Sequence, residues 1–297
     1  MAESKYEKNM VKMSKEGRRG PGGALMSDEL VPGCNVFIMY FWILKMPEPN
    51  PNPMHQSFEW HDYDEIIFNV GMDPDNPEIL GGETEGYMGH SQQIMNKTTL
   101  LYIPANAEHG RISTHSFEKP YIQLAIKLSS NIEKMDERLT REETSHSPDE
   151  DYNRYMITEP LRELTSPPGT TGRTSPPYTF LNNKLVPDCN VYLEYSWIWD
   201  MPTPNPIEMS HAHNYDEIVL NIGADPENIE ELGGEIEAYM GGEKQVTDKT
   251  SAVYIPKNVE HGPVKWTKFE KPHIQMSIVL GTGEPGEALP GGHKPVN

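Results

Sequence analysis

Apolar and polar residues alternate along several short stretches of this chain. The clearest alternation runs through 191–199, and a similar one runs through 36–42. A period of two is typical of β-strands. Further short apolar or β-branched runs follow at 218–222, 252–255 and 273–280, separated by turns rich in Pro, Gly, Asn and Asp. Many short strands without a convincing long helix predict an all-β protein made of sandwiches or barrels.

This pattern occurs twice in the chain. Residues 59–123 recur at 211–275 with a constant offset of 152, and 35 of the 65 aligned positions are identical. A weaker similarity between 5–11 and 151–157 extends the repeat to the beginning of each copy. The period is too long for a solenoid, so the repeat indicates a duplicated domain.

We therefore predict two domains, 1–150 and 151–297, each large enough to bury its own core. The residues between the copies, 133–151, are charged and contain good helix formers at their start, which predicts a short helical linker. Pro- and Gly-rich stretches at 18–33 and 166–177 precede the first strong strand of each copy and predict extended arms.

The charge of the chain limits its partners. There are 25 Lys and Arg against 45 Asp and Glu, a formal net charge of −20. Such a chain is repelled by nucleic acid and by anionic lipid, so we expect neither as a partner. With no apolar run of about 18 residues and no hydrophobic signal segment, we expect a cytoplasmic protein. The two cysteines, Cys34 and Cys189, occupy matching places in the repeat, which favours reduced thiols over a disulfide.

Four residues of the second copy have the chemistry of metal ligands. His211 and His213 are two apart, so on a strand their side chains project to the same side. A bend at 214–216 would let Glu217 face the same space. The best candidate for a fourth ligand from elsewhere in the fold is His261.

These residues lie in two motifs that resemble those of the cupin superfamily, and specifically of its two-domain bicupins. The first motif, HxHxxxE, reads His211, His213 and Glu217, and the second, PxGxxH, begins at Pro256 and ends at His261. The resemblance covers both halves of the chain. It implies two tandem double-stranded β-helix barrels of the jelly-roll type.

Two positions depart from the family's second motif. Asn258 stands where the family has glycine, and asparagine is the next-best residue for a left-handed backbone position. Lys265 stands where the motif ends in asparagine.

The resemblance makes the second-copy residues His211, His213, Glu217 and His261 ligands of one divalent metal ion. Three imidazoles and one carboxylate leave coordination positions open for substrate or water. This mixed nitrogen and oxygen set suits Mn or Fe(II), while Zn, Ni and Co remain alternatives.

The first copy carries a different set, Glu59, His61, Glu65 and His109, in which a glutamate replaces the first histidine. Two carboxylates favour a hard ion such as Mn, Mg or Fe(II). In the alternative, Arg111 lies on the same side of the strand as His109 and neutralises Glu59 in a metal-free pocket. Both interpretations stay open.

Other polar residues are candidates for lining the two cavities. The substrate-lining candidates are Asn221, His273 and Gln275 in the second copy, with Arg111 and Gln123 in the first. The candidates for a catalytic acid or base are Glu235, Glu237 and Tyr239. For the amides and the tyrosine, a purely structural role is an equally good interpretation.

Two classes of function follow from these features. The first is an enzyme that acts on a small oxygen-bearing metabolite, a carboxylate, enolate or diol, by redox-neutral Lewis-acid chemistry, as a decarboxylase, isomerase or lyase. With Fe(II), the alternative is a dioxygenase. The second class is a non-catalytic protein that binds a metal and a small ligand. A small-molecule partner is expected in each case, and a homo-oligomer remains open.

Overall fold

The protein is described by a computed structural model in six ranges of residues. These are 5–14, 22–47, 58–129, 151–162, 168–187 and 189–283. The described ranges are dominated by antiparallel strands, which confirms the all-β prediction. The linker predicted to be helical lies almost entirely in 130–150, outside the described residues. No helix in the described ranges is both long and apolar enough to cross a bilayer.

The first barrel is the compact unit Arg18–Thr158. One sheet has six strands in the order β11-β8-β5-β10-β3-β2, and the other has four in the order β4-β9-β6-β7. The bounds are β2 Gly22–Met26, β3 Phe37–Ile43, β4 Phe58–Glu59, β5 Glu65–Gly71, β6 Ile79–Met88, β7 Ser91–Lys97, β8 Thr99–Ile103, β9 His109–Phe117, β10 Tyr121–Lys127 and β11 Met156–Ile157.

The second barrel is the unit formed by Met1–Gly17 and Glu159–Asn297. Its large sheet has the order β1-β18-β15-β20-β14-β12 with β13 also pairing β14, and its small sheet has the order β17-β16-β19. The bounds are β1 Met10–Lys12, β12 Thr171–Arg173, β13 Tyr178–Leu181, β14 Val191–Thr203, β15 Asp216–Gly223, β16 Glu231–Met240, β17 Glu243–Lys249, β18 Ser251–Ile255, β19 His261–Phe269 and β20 His273–Leu280.

The two units do not coincide with the two halves of the chain, because the second barrel also takes in Met1–Gly17. Strand β1 pairs with β18, with Val11 opposite Ala252, whereas β11 pairs with β8, with Ile157 opposite Leu100. The two segments that open the copies of the repeat therefore each complete the sheet of the unit that holds the other copy. The unit boundary consequently differs from the sequence halves 1–150 and 151–297, because eight residues beyond 150 group with the first barrel.

The large sheet of the second barrel is buried on both faces. On one face, Ile218, Leu220, Ile274 and Met276 are completely buried. The alternate residues of β15, β20 and β14, which are mostly polar and include Val219 and Val279, line a cavity. The polar positions of the alternation in 191–199 thus face the inside of the barrel rather than solvent, which explains why the residues from Val191 to Ile198 are all buried.

Both cysteines are buried thiols, and they are not joined in a disulfide. Each Sγ donates to a backbone carbonyl two residues along, Cys34 to Val36 at 3.3 Å and Cys189 to Val191 at 3.4 Å. In each barrel the thiol therefore helps to hold the chain at the start of the strand that follows.

Candidate metal centre

The backbone of the second barrel brings the predicted histidines together. His211 and His261 exchange both of their backbone hydrogen bonds, each 2.9 Å long, so they form an isolated antiparallel bridge. Their rings are 4.1 Å apart between centroids, and the rings of His213 and His261 are 4.7 Å apart. Glu217 lies near the start of β15, opposite Ile255 of β18, and its side chain reaches the same cavity.

The loop before His261 depends on one left-handed residue. Asn258 has φ +63°, which confirms that asparagine can take the place of the motif's glycine. Its backbone N–H donates to the carbonyl of His213 at 2.7 Å. This bond ties the loop of the second motif to the first motif.

Each histidine of the centre is held by its Nδ1. Carbonyl oxygens of Met209, Tyr215 and Val259 lie 3.0, 2.8 and 2.9 Å from the Nδ1 atoms of the three histidines. A carbonyl can only accept, so Nδ1 carries a proton, and in the neutral ring Nε2 keeps its lone pair. His213 is further oriented by stacking on Tyr215, with ring centroids 4.0 Å apart.

The lone pairs point into one small space. The ligand atoms of His211, His213 and His261 all lie within 4.8 Å of one another. Glu217 Oε2 is 3.1 Å from His213 Nε2 and 3.5 Å from His261 Nε2, while Ser277 donates to Glu217 Oε1 at 2.5 Å. His261 Nε2 is buried and makes no hydrogen bond. A buried nitrogen in this state fits a metal ligand.

The ionisation states also suit a cation. Burial opposes the charge on Glu217, but the neighbouring imidazoles of His213 and His261 outweigh it and hold the pKa of this carboxyl far below its usual range. Burial and the neighbouring His261 lower the pKa of His211 to about 4. Metal ligands must be a carboxylate and neutral imidazoles, and these two residues meet that condition near pH 7.

The cavity also contains polar groups that the sequence analysis missed. Arg173, Glu194, Ser196 and Glu208 all line it. Glu208 Oε1 is 3.2 Å from His211 Nε2, and the hydroxyl of Tyr192 donates to Glu194 Oε2 at 2.6 Å. Burial raises the pKa of Glu194 to about 7 and that of Glu208 to about 8.

A comparison of the two copies of one strand could have found Glu194. The motifs LVPGCNV and LVPDCNV align β3 with β14. The cavity-facing positions of β14 and their counterparts in β3 are Tyr192, Glu194 and Ser196 against Phe37, Met39 and Phe41. The polar set occurs only in the copy with the three histidines.

Of the predicted lining residues in the second barrel, two lie in the cavity. Gln275 Nε2 donates to Asn221 Oδ1 at 3.2 Å, and both side chains line the cavity. His273 does not, which corrects its assignment. It accepts a hydrogen bond from Trp266 Nε1 at 2.8 Å and donates from Nδ1 to the carbonyl of Lys271, and burial lowers its pKa to about 4. It is a neutral structural histidine.

The three predicted acid–base candidates do not reach the centre. On β16 the cavity is lined by the intervening residues Ile236, Ala238 and Met240. Glu237 pairs with Lys244 and Lys265, and Thr267 donates to Glu235. Both carboxylates therefore lie on the other face of the strand, so their assignment as catalytic residues is corrected.

Tyr239 borders the cavity, yet its hydroxyl donates to Glu237 Oε1 at 3.3 Å. Because Glu237 is on the other face of the strand, this hydroxyl is directed away from the histidines. The candidate acid–base groups inside the cavity are Glu194 and Glu208 instead.

The first barrel brings its own four residues together. Glu65 Oε2 is 2.9 Å from His61 Nε2 and 3.3 Å from His109 Nε2, and Glu59 Oε1 is 3.6 Å from His109 Nε2. The Nδ1 atoms of His61 and His109 face the carbonyls of Tyr63 and Ala107, as in the second barrel. Although burial opposes it, the two carboxylates raise the pKa of His109 to about 9.

The cation of the first site is Lys127 rather than Arg111. Arg111 is exposed with φ +52°, and its guanidinium lies over the ring of Phe58, so the alternative in which it neutralises Glu59 is wrong. The positive φ breaks the strand alternation on which that prediction rested. Lys127 is buried, with Nζ 3.9 Å from Glu65 Oε1. Val279 stands at its place in the second barrel.

Gln123 has the same neighbour as its counterpart in the second barrel. Its Nε2 donates to Asn69 Oδ1 at 2.9 Å, just as Gln275 donates to Asn221. The amide pair is therefore a shared element of both barrels.

Together, the strand order and the two ligand clusters define the class of protein: the chain has the two-barrel cupin fold. No family model matches the chain, and no curated protein matches its sequence. Solved structures match its fold.

Oxalate decarboxylase from Bacillus subtilis is among these structures. One of its point variants has a TM-score of 0.57 at 10% identity, covering 93% of this chain and 77% of the other. A structure of the same enzyme, described for its Mn(II) centres, has a TM-score of 0.56 at 11% identity with the same coverage. AerE from Microcystis aeruginosa has a TM-score of 0.48 at 14% identity, covering 83% of this chain and 88% of the other.

Proposed function

We propose that this protein is a metal-dependent bicupin enzyme whose second barrel acts on a small oxygen-bearing metabolite. His211, His213, Glu217 and His261 hold one divalent ion, Mn or Fe(II), and Zn, Ni and Co are alternatives. When bound, the ion supplies Lewis-acid polarisation for a redox-neutral decarboxylation, isomerisation or elimination. The substrate is a carboxylate, enolate or diol.

One observation carries this proposal: the ligand atoms of three imidazoles lie within 4.8 Å of one another, and the carboxylate of Glu217 lies 3.1 Å from His213 Nε2 and 3.5 Å from His261 Nε2. Their Nδ1 hydrogen bonds orient the rings before any ligand arrives, and such preorganisation favours tight metal binding. Solved structures of the same fold include a decarboxylase described for its Mn(II) centres.

The other residues of the cavity supply what such a reaction needs from the protein. The cavity has apolar walls, including Ile207, Val219 and Ile255, which exclude water from a bound molecule. Glu194, with its pKa raised to about 7, can hold or release a proton near neutral pH. The amide pair Gln275 and Asn221 can orient a polar substrate.

The experiment that tests the proposal measures metal content and turnover together. We expect the purified protein to hold a divalent metal when analysed by inductively coupled plasma mass spectrometry. His261→Ala should lower the content of the second site by at least about tenfold, since loss of one ligand exposes an incomplete shell. Turnover of a panel of small hydroxy and keto acids, followed by NMR, should fall in parallel.

The matched control is His115→Ala, which removes a histidine from the surface of the first barrel, where it pairs with Glu85. This variant should keep both metal and turnover. Full turnover in a metal-free preparation, or unchanged metal content in a folded His261→Ala variant, would contradict the proposal.

A further inference from the structure

Arg173 is a cation in the cavity that lacks a partner of its own. It is the last residue of β12, opposite Ile198 of β14, and its side chain lines the cavity of the histidines. Its Nε is buried and makes no hydrogen bond. Among the described residues, no carboxylate lies within ion-pair distance of its guanidinium. A buried guanidinium donor without an acceptor is costly, so this position calls for an anion.

The acidic neighbours of Arg173 are already engaged elsewhere. Glu194 accepts from the hydroxyl of Tyr192, which itself lies 3.1 Å from Thr179 Oγ1. Glu208 lies against His211. Neither carboxyl group therefore accepts a pair of hydrogen bonds from the guanidinium of Arg173, although both are near enough to interact with its charge.

We propose that Arg173 and Glu194 form an anion subsite beside the histidine cluster, which takes the carboxylate of a small organic acid. The carboxylate accepts a pair of hydrogen bonds from the guanidinium, whose planar fork matches its geometry. This inference rests on the proposed function only for the statement that the bound acid is the substrate. The subsite itself consists of protein groups and needs no metal.

Glu194 couples this subsite to a proton. Its neighbours are Thr179 on β13, Tyr192 on β14 and Ser277 on β20, and the charges of Arg173, Glu208 and Glu217 act on it through the cavity. The charge of Arg173 favours the ionised form of Glu194. A bound carboxylate neutralises the charge of Arg173 and adds a negative charge nearby, and both effects disfavour the ionised form of Glu194. Glu194 then takes up one proton from the buffer, and the bound anion gains a hydrogen-bond donor.

The first barrel lacks this anion subsite. The positions of Glu194 and Ser196 are Met39 and Phe41 there, which can neither carry a proton nor bind an oxyanion. We therefore assign organic-acid binding to the second barrel alone.

The test is isothermal titration of oxalate into the full-length protein, both manganese-loaded and stripped with a chelating resin. Oxamide, the neutral isostere, is the ligand control. Arg173→Gln should weaken oxalate binding by at least about tenfold in both forms, and Arg173→Lys, which keeps the charge without the fork, should fall between. The affinity for oxamide should be the same in the wild type and in both variants of Arg173.

Titrations in Tris and in HEPES near pH 7.5 measure how many protons the protein takes up when oxalate binds. Because these buffers differ in ionisation enthalpy, the wild type should show net proton uptake on binding oxalate, and Glu194→Gln should lose most of it while still binding. The matched control is Arg162→Gln: Arg162 is exposed, donates to the carbonyl of Pro176 and lies over the ring of Tyr178. It should behave as wild type.

Unchanged oxalate affinity in a folded Arg173→Gln variant would overturn the subsite, whatever the metal content. Proton uptake that persists in Glu194→Gln would overturn the role of Glu194. An effect of Arg173 in the stripped protein supports the subsite even where the protein binds no metal, so the two proposals fail separately.

Discussion

The protonation of each histidine in the second barrel follows from a backbone oxygen. The carbonyls of Met209, Tyr215 and Val259 each accept from an Nδ1. This choice of tautomer is made by the fold alone, since no other arrangement gives those carbonyls a donor. The three rings are therefore oriented with Nε2 toward the centre before any ion binds.

Glu194 is a residue of the cavity wall whose ionisation the fold disfavours. Burial raises its pKa from the ordinary value of 4.5 to about 7. The folded protein thus binds a proton there that the unfolded chain has released. Stability from this group is complete below about pH 4.5 and is lost as the pH rises through about 7.

Replacing Glu194 with Gln should remove this loss. We predict that the free energy of unfolding of Glu194→Gln, relative to wild type, rises by on the order of 1–3 kcal/mol between pH 5 and pH 8. Urea unfolding followed by circular dichroism at a series of pH values measures it. A constant difference between the two proteins across this range would show that Glu194 ionises normally.

Spacing in the sequence predicted the residues that meet at the two clusters, because HxH on a strand and a distant histidine leave few arrangements. Arg173, Glu194 and Lys127 were not predicted. Their place in a site depends on which strands are neighbours and which face is closed, and Arg173 approaches from an arm far from either motif. Glu235 and Glu237 were misplaced for the same reason: strand parity puts them outside.

At the level of elements, the alternation of residues predicted the strands well, since β14, β15, β18 and β20 lie where the apolar runs are. The pairing of β1 with β18 was not predictable from local pattern. Three residues, Met10 to Lys12, carry little periodicity, and their partner is more than 200 residues away.

Strand β1 covers the edge of β18, and Met10 lines the cavity. We predict that deletion of residues 1–12 makes the amides of β18 that face this edge exchange with deuterium at least about tenfold faster, because their backbone partners are gone. Hydrogen-exchange mass spectrometry measures the peptide spanning Ser251–Ile255.

Two comparisons make this measurement specific. Strand β8 of the first barrel, which pairs with β11, should keep its exchange rate in the truncated protein. Lys12→Ala, which removes an exposed side chain and leaves the strand backbone, should not affect β18. Equal protection of β18 with and without residues 1–12 would refute the pairing.

At the scale of the whole molecule, duplication has been followed by divergence of the two sites. The second barrel has three histidines and a polar cavity wall, while the first has two carboxylates, two histidines and the buried Lys127. The repeat predicted two barrels, and the substitution of His211 by Glu59 predicted unequal sites. What the sequence could not predict is that Lys127 brings a positive charge beside Glu65, where the second barrel has Val279.

The metal ion that we propose for the second barrel can be located directly. Crystals of the protein grown with manganese, measured on both sides of the manganese absorption edge, test this proposal. We expect an anomalous difference peak between His211, His213, Glu217 and His261, at roughly 2.0–2.3 Å from each ligand atom. No peak at this position at manganese saturation, or a peak in the first barrel alone, would contradict it.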